Sequence, residues 1–188
     1  MARNPAGGMA LKTGVVDDPR QVDEPLVARL RESIQLQPTE PAAYFNLGAA
    51  LEYSIHHVEA GQRYLEAKER YPEGSAMWGP ATARAFDVLK QAVCDEVAKP
   101  EWWNDEDLKV LSAQVVTAAP HDTTCHYMRA VVLSAMTDAW KVGPRTGAEL
   151  EEAAVHFEQA GELSPAPAGK EGCARMAKLC RSFPFGTS

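Results

Sequence analysis

The sequence predicts an all-α protein, built as a stack of antiparallel helix pairs. Apolar residues recur every three or four positions along successive segments, which is the spacing of one helical face. Residues 41–72 show this most clearly, as two such runs joined by a polar turn at residues 54–58. Gly48 lies inside the first run, where glycine costs about 1 kcal/mol relative to alanine. A close helix crossing, with Tyr64 filling the space beside Gly48 and the small Ala60, explains that glycine.

The first element expected is a helix over residues 23–37. Asp23 is a favourable N-cap, Pro25 suits the first turn of a helix, and Pro38 ends it. We interpret this helix as the second half of an incomplete helix pair. Residues 1–20 lack an apolar signal core and are predicted to form a disordered leader.

The unit after residue 74 is predicted to contain one long helix and one return helix. The long helix is expected from Ser75 until Pro100, with apolar residues along its whole length. The return helix starts at Asn104, where Asp107 three residues later completes a weakened capping box. Pro120 ends this second helix.

The last full unit begins with a helix near Asp122. Its return helix has a capping box of Thr146 and Glu149, in which each side chain satisfies an amide of the other residue. Pro165 marks the end of that helix. A final amphipathic helix, at roughly residues 170–181, carries a row of small and apolar residues on one side.

Residues 41–72 resemble one tetratricopeptide (TPR) repeat. The residues that match the pattern of this family are Tyr44, Leu47, Gly48, Leu51, Ala60, Tyr64, Ala67 and Pro72. The family usually has Trp at the position of Tyr44 and Tyr at that of Leu51. The resemblance implies a right-handed α-solenoid of antiparallel helix pairs, closed by a C-terminal cap helix.

This resemblance also divides the chain. We expect a helical domain at 21–182 with a half repeat at 21–40, repeats at 41–74, 75–122 and 123–167, a cap at 168–182 and a tail at 183–188. The last two repeats are longer than the first, and the additional residues are placed between their helices, at 90–104 and 138–145. Equivalent turns of a solenoid line up, so both additions are expected to project from one edge of the stack.

Composition excludes several classes of function. The chain of 188 residues has a formal net charge of −7 and no basic run, which argues against binding to nucleic acid. No uncharged apolar run approaches the roughly 18 residues of a membrane helix, so membrane insertion is not expected. The four cysteines form no CxxC pair, which favours a reducing, cytoplasmic location.

The sequence gives no sign of an enzyme, a cofactor or a metal site. It lacks a Gly-rich phosphate loop and the GxSxG and HExxH motifs. The acidic run at residues 105–107 is interpreted as helix-start charge rather than paired catalytic carboxylates. His56 and His57 are expected in a turn, while His121, Cys125 and His126 are expected to be packing residues rather than metal ligands.

In TPR proteins the first helices of successive repeats line a concave surface that binds peptides. Carried over to this chain, that lining comprises Phe45, Ala49, Glu52, Tyr53, Ala76, Gly79, Ala83, Phe86, Asp87, Thr124, Tyr127, Val131 and Ala135. A carboxylate clamp is disfavoured, because Asn46 matches one clamp position but Ala49, Ala76 and Pro80 occupy others. The groove is therefore aromatic and small, and suits an apolar helix or an extended segment. It is either open to a partner or filled by the last helix of the chain or by a neighbouring copy.

The function expected is that of a non-catalytic adaptor for a protein or peptide partner. Its partner-binding residues are predicted to be Phe45, Ala49, Tyr53, Phe86, Tyr127 and Val131, together with Trp102 and Trp103. The two tryptophans are either exposed interface anchors or packing residues beside the helix that starts at Asn104. Two alternatives stay open: a fixed subunit of a larger complex or homo-oligomer that docks through the tryptophan-bearing edge, and a metal-binding or enzymatic helical protein.

Overall fold

The computed structural model describes residues 24–182, and within this range every regular element is helical. The eight α-helices of this described range are α1 (Glu24–Leu36), α2 (Pro41–Tyr53), α3 (His57–Arg70), α4 (Trp78–Leu89), α5 (Asp105–Ala118), α6 (Thr123–Ser134), α7 (Gly147–Leu163) and α8 (Pro167–Ser182). Each helix packs on the next one in the chain, and α4 also packs on α6. The predicted all-α class and the packing of neighbouring helices are thereby confirmed. The expected leader at 1–20 and tail at 183–188 lie outside the described residues.

Local capping signals fix several helix starts where the sequence predicts them. The side chain of Asn104 accepts a hydrogen bond from the Asp107 amide at 3.1 Å, and starts α5. Thr146 and Glu149 form the complete reciprocal capping box at the start of α7. Both signals are short-range in sequence, so the prediction depends on nothing beyond the first turn of each helix.

The prediction of one long helix from Ser75 to Pro100 is wrong. Helix α4 ends at Leu89, and a short 3₁₀ turn at Ala92–Cys94 follows it. The Lys99 ammonium donates hydrogen bonds to the carbonyl oxygens of Leu89, at 2.7 Å, and Cys94, at 2.6 Å. The Leu89 carbonyl lies at the C-terminal end of α4, where carbonyls have no partner within the helix, and the lysine supplies a hydrogen bond there.

The crossing of α2 and α3 has the small-residue contact that the sequence predicts. Gly48 is buried, and a Cβ atom added to it would lie only 2.9 Å from Cδ1 of the Tyr64 ring. Ala60, Ala67 and Ala153 are all fully buried, as expected for residues at helix contacts. Glycine is therefore needed at position 48 for close approach rather than for backbone freedom.

Alanine substitutions at two glycines test whether close helix approach is what requires glycine at position 48. Gly48→Ala is expected to lower the free energy of unfolding by about 1 kcal/mol or more, because overpacking outweighs the gain in helix propensity. The Tyr64 ring cannot easily move away, since its hydroxyl is bonded to Glu52 at 2.7 Å. Gly172→Ala, in α8, meets nothing within 4 Å and should raise stability by about 0.5–1 kcal/mol. Urea denaturation of both variants measures the difference, and equal shifts would contradict the close crossing.

The two additional segments, at 90–104 and 138–145, lie against each other. The indole nitrogen of Trp103 donates to the carbonyl oxygen of Ala139 at 3.1 Å, which joins one segment to the other. Trp140, from the second segment, is 8% exposed and belongs to the main hydrophobic core. The two additions therefore contact each other, and they are folded against the core rather than projecting from it.

A buried ion pair fastens the second segment to the start of α5. Arg145 and Asp105 form two hydrogen bonds, of 2.8 and 2.5 Å, and their side chains are 4% and 12% exposed. The same carboxylate accepts hydrogen bonds from the indole of Trp140 and the amide of Gly143. These hydrogen bonds, above all those from Arg145, hold the pKa of Asp105 well below its usual range. The first acidic residue of the run at 105–107 therefore has a specific structural role that the sequence analysis missed.

Within residues 24–182, no helix combines the length and the apolar character needed to cross a bilayer.

Candidate binding surface

Three of the predicted binding residues, all on α2, lie together at a surface hollow. Phe45, Ala49 and Tyr53 line a hollow of about 390 Å³, which also borders α3 and α4. Tyr53 is 76% exposed and Ala49 is exposed, while Phe45 is half-buried. Because these three residues follow helical spacing, their common face was predictable from α2 alone.

The floor of this hollow is polar and internally bonded. The hydroxyl of Tyr64 donates to the Glu52 carboxylate at 2.7 Å, and Arg84 forms an ion pair with the same carboxylate at 3.4 Å. Burial, followed by the contact with Glu52, raises the pKa of Tyr64, so its hydroxyl stays protonated and keeps donating. The ring of Phe45 packs edge-on against that of Tyr64, with 5.4 Å between centroids. The floor is therefore held together by these contacts, whereas the Tyr53 side chain is mostly exposed to solvent.

Phe86 and Val131 lie in the core rather than on the open surface. Phe86 has no exposed surface and Val131 is 5% exposed. The Phe86 ring contacts Trp103 and Trp140, with centroids 5.5 and 5.7 Å away. Both tryptophans come from the additional segments, which thereby cover Phe86 on α4. The structure thus separates these two residues from the Phe45 hollow.

Tyr127 borders a second hollow, of about 590 Å³, between α4, α6 and α8. Its ring packs against Phe157 at 5.9 Å, and the Lys90 ammonium lies 5.6 Å from the ring centroid. Cys173 and Met176 of α8 form one wall of this hollow. The last helix of the described range thus borders the Tyr127 hollow, but it supplies no lining residue to the Phe45 hollow.

Trp102 and Trp103 are both half-buried and pack against the main core. Their rings lie 5.6 Å apart, and Trp103 also contacts Trp140 at 6.1 Å. The ammonium groups of Lys68 and Lys99 lie over Trp102 and Trp103, at 5.8 and 5.3 Å. This is the packing arrangement that the sequence left as one of two alternatives for the tryptophan pair.

The α2–α3 turn places an apolar patch beside the Phe45 hollow. This apolar patch consists of Tyr53, Ile55 and Val58, which are 76%, 57% and 40% exposed. Ile55 has a φ of 63°, in the left-handed region that β-branched residues rarely adopt. The amides of Ile55 and His56 close the end of α2 by bonding to Glu52 and Leu51, at 3.0 and 2.8 Å. Glycine or asparagine is the usual residue at this capping position, so Ile55 is strained and exposed at once.

No model of a known protein family matches this sequence. Comparison with curated proteins likewise finds no significant match. The resemblance to a TPR repeat therefore depends on the motif residues of 41–72 and on their packing.

The histidines that the sequence singled out do not converge on a common point. The Nδ1 atom of His56 is 2.9 Å from the Ser54 carbonyl, at the α2–α3 turn. His126, instead, pairs with His156 of α7, which the sequence analysis did not identify. Among the described residues, no cluster of three or more His, Cys, Asp or Glu side chains has the arrangement of a metal site. No local spacing marks the His126–His156 pair, because it joins two different helices.

Proposed function

We propose that this protein is a non-catalytic, TPR-like scaffold, a right-handed stack that binds a peptide or helical segment of a partner protein. The observation that carries the proposal is the hollow lined by Phe45, Ala49 and Tyr53. Two aromatic residues flank an exposed alanine there, which leaves room for one apolar side chain of a partner. Aromatic residues contribute most of the binding energy in many protein interfaces.

The chemistry of the hollow favours a mixed ligand. Its walls are aromatic, and its floor presents the paired charges of Glu52 and Arg84. Since these charges already satisfy each other, the floor does not demand a charged ligand. We propose that the partner inserts an apolar side chain over Ala49 and keeps its own polar groups at the rim.

The apolar patch extends this surface beyond the hollow. Tyr53 belongs to both, so the hollow and the patch are continuous. A left-handed conformation costs about 1–2 kcal/mol for a residue with a Cβ atom. An exposed Ile55 in this conformation lowers stability without filling the core. We propose that contact between the Ile55 side chain and the partner offsets this strain.

The alternative of a fixed subunit that docks through Trp102 and Trp103 has less support. Both rings already make contacts within the chain: they pack against each other, and the ammonium groups of Lys68 and Lys99 lie over them. The proposal therefore uses the α2 surface. All four cysteines are buried free thiols, and we propose the reducing cytoplasm as the location of the protein.

Peptides selected from a displayed random library on the full chain would test the proposal. Tyr53→Ala is expected to weaken selected peptides about tenfold or more, as for an aromatic anchor worth over 1 kcal/mol. Val110→Ala, at an apolar residue of α5 that is 61% exposed, is the control and should leave the dissociation constant unchanged. Titration calorimetry or fluorescence anisotropy measures both.

Ile55→Asn adds a sharper outcome to the same experiment. Asparagine tolerates the left-handed conformation, so this variant should be more stable than the native chain by about 1 kcal/mol. It should nevertheless bind the peptides more weakly, because a polar side chain replaces Ile55 in the apolar patch. Selected peptides that bind Tyr53→Ala and Ile55→Asn as tightly as the native chain would overturn the proposed site.

A further inference from the structure

Two histidines meet in the interface between α6 and α7. The Nδ1 atoms of His126 and His156 are 2.9 Å apart, and the rings lie 5.1 Å apart with 33° between their planes. The other ring nitrogen of His126 is 2.9 Å from the carbonyl oxygen of Pro120. His126 is 5% exposed and His156 is half-buried, so water does not replace these contacts readily.

The carbonyl of Pro120 determines which tautomer both rings adopt in their neutral forms. A carbonyl oxygen only accepts hydrogen bonds, so Nε2 of His126 must carry its hydrogen. The neutral His126 ring then has a lone pair on Nδ1, directed at Nδ1 of His156. His156 must therefore donate from Nδ1, and one proton lies between the two rings.

We propose that His126 and His156 form a site for a single shared proton that holds α7 against α6, and that acidification releases this contact. If both rings became imidazolium ions, each Nδ1 would carry a hydrogen and the two N–H groups would oppose each other at 2.9 Å. While the helices are docked, the two neutral rings together can therefore bind only one additional proton. After the helices separate, both rings can be protonated.

The charges that act on His156 come from the same two helices. The Glu152 carboxylate of α7 lies 3.8 Å from Nε2 of His156, where an added proton would go. That carboxylate is already bonded to Arg129 of α6 at 2.6 Å, which weakens its hold on His156. Among the described residues, His126, Glu152 and Arg129 are the charged or titratable groups that act on His156. Burial, followed by the neighbouring His126, lowers the pKa of His156.

The sign of the pH effect follows from proton counting. Histidine in an unfolded chain has a pKa of about 6.5. Above that value neither state of the pair binds additional protons, and the contact contributes its full stability. Below it, the separated rings take up two protons and the docked pair takes up fewer, so stability falls as the pH falls. The lowered carboxylate pKa values, such as that of Glu149 at about 2, act only at much lower pH.

Separation of α7 from α6 at the histidine pair would alter the shape of the Tyr127 hollow. Phe157 of α7 packs against Tyr127, and α8 packs on α7. The Tyr127 hollow is bordered by α6 and α8, so its shape depends on whether α7 stays docked. This inference does not depend on peptide binding at the Phe45 hollow.

Urea unfolding of the full chain at pH 7.5 and pH 5.5 tests the proposal. The unfolding constant of the native chain should rise at least about tenfold more than that of His156→Gln, which corresponds to one uncompensated proton over one pH unit. A glutamine can turn its amide to donate to neutral His126 or to accept from protonated His126, so the variant has no such conflict. His121→Gln, at an exposed histidine, is the matched control and should keep the native pH dependence.

A second measurement uses the native chain only. Nitrogen-15 NMR of the histidine rings at pH 7.5 should show His126 as the Nε2–H tautomer. Amide hydrogen exchange should increase in α7 and α8 at pH 5.5, after correction for intrinsic rates, while α2 and α3 serve as the internal reference.

Three outcomes would contradict the proposal. Equal pH dependence of the unfolding constant in the native chain and in His156→Gln would overturn it, and so would an Nδ1–H tautomer of His126. So would an equimolar zinc ion that raises the unfolding midpoint of the native chain but not of His156→Gln, since a metal would then hold the rings.

Discussion

Asp105→Ala is expected to lower the free energy of unfolding by about 3–5 kcal/mol, because it leaves a buried guanidinium without its counter-ion. The Arg145 side chain is only 4% exposed, so water cannot take the place of the carboxylate. The indole of Trp140 and the amide of Gly143 lose their acceptor in the same substitution. Urea denaturation at pH 7, with the slope checked for two-state behaviour, gives the value.

Two variants distinguish the loss of this ion pair from a general effect at the start of α5. Glu106→Ala changes the neighbouring exposed carboxylate and should shift stability by less than about 0.5 kcal/mol. The double substitution Asp105→Ala/Arg145→Met should regain part of the loss, since it removes the unpaired charge along with its partner. If Asp105→Ala lowered the free energy of unfolding by less than a typical surface substitution does, the ion pair would not be what fastens the segment.

The pH dependence of this pair has a defined direction. Because the folded pKa of Asp105 lies below the ordinary aspartate value of about 3.9, the pair contributes fully above that value. Its contribution is lost only as the pH falls further, toward the folded pKa. The effect is thus separated by more than two pH units from the one predicted for His126 and His156, and a full pH profile of stability resolves both.

Helix positions in this chain were predictable wherever their signals are local. The caps at Asn104 and Thr146 act within one turn, and Gly48 with Tyr64 is the recurring contact of one helix pair. The end of α4 was not predictable in the same way. Lys99, ten residues beyond Leu89, supplies a hydrogen bond to the carbonyl at that helix end, and the apolar periodicity continues past the point where the helix ends.

The binding surface was predictable only in its first part, for a related reason. Phe45, Ala49 and Tyr53 share one face of α2, and no later segment within residues 24–182 covers them. Phe86 holds the corresponding kind of position on α4, but its burial depends on Trp103 and Trp140. Such contacts between distant segments leave no mark in helical spacing. The same holds for Asp105 with Arg145, whose positions differ by 40 residues.

Phe86→Ala is expected to lower the free energy of unfolding by about 3–5 kcal/mol, as for a large aromatic residue removed from a core. Its ring has no exposed surface and contacts Trp103 and Trp140, so truncation leaves a cavity beneath the additional segments. Intrinsic tryptophan fluorescence should shift to longer wavelength in the same variant, because water gains access to the indole rings. Urea denaturation followed by fluorescence and by circular dichroism measures both effects.

Phe45→Ala is the matched comparison, because it removes the same ring from the other candidate position. Phe45 is half-buried and has one edge-on contact with Tyr64, so its loss should cost about 1–2 kcal/mol, well below the value for Phe86. The tryptophan emission should stay unchanged, since no tryptophan lies among its aromatic contacts. If the two losses were equal, or if Phe86→Ala left the emission unchanged, Phe86 would not be enclosed by the tryptophans. Phe86 would then be a candidate partner-binding residue, together with Phe45 and Tyr53.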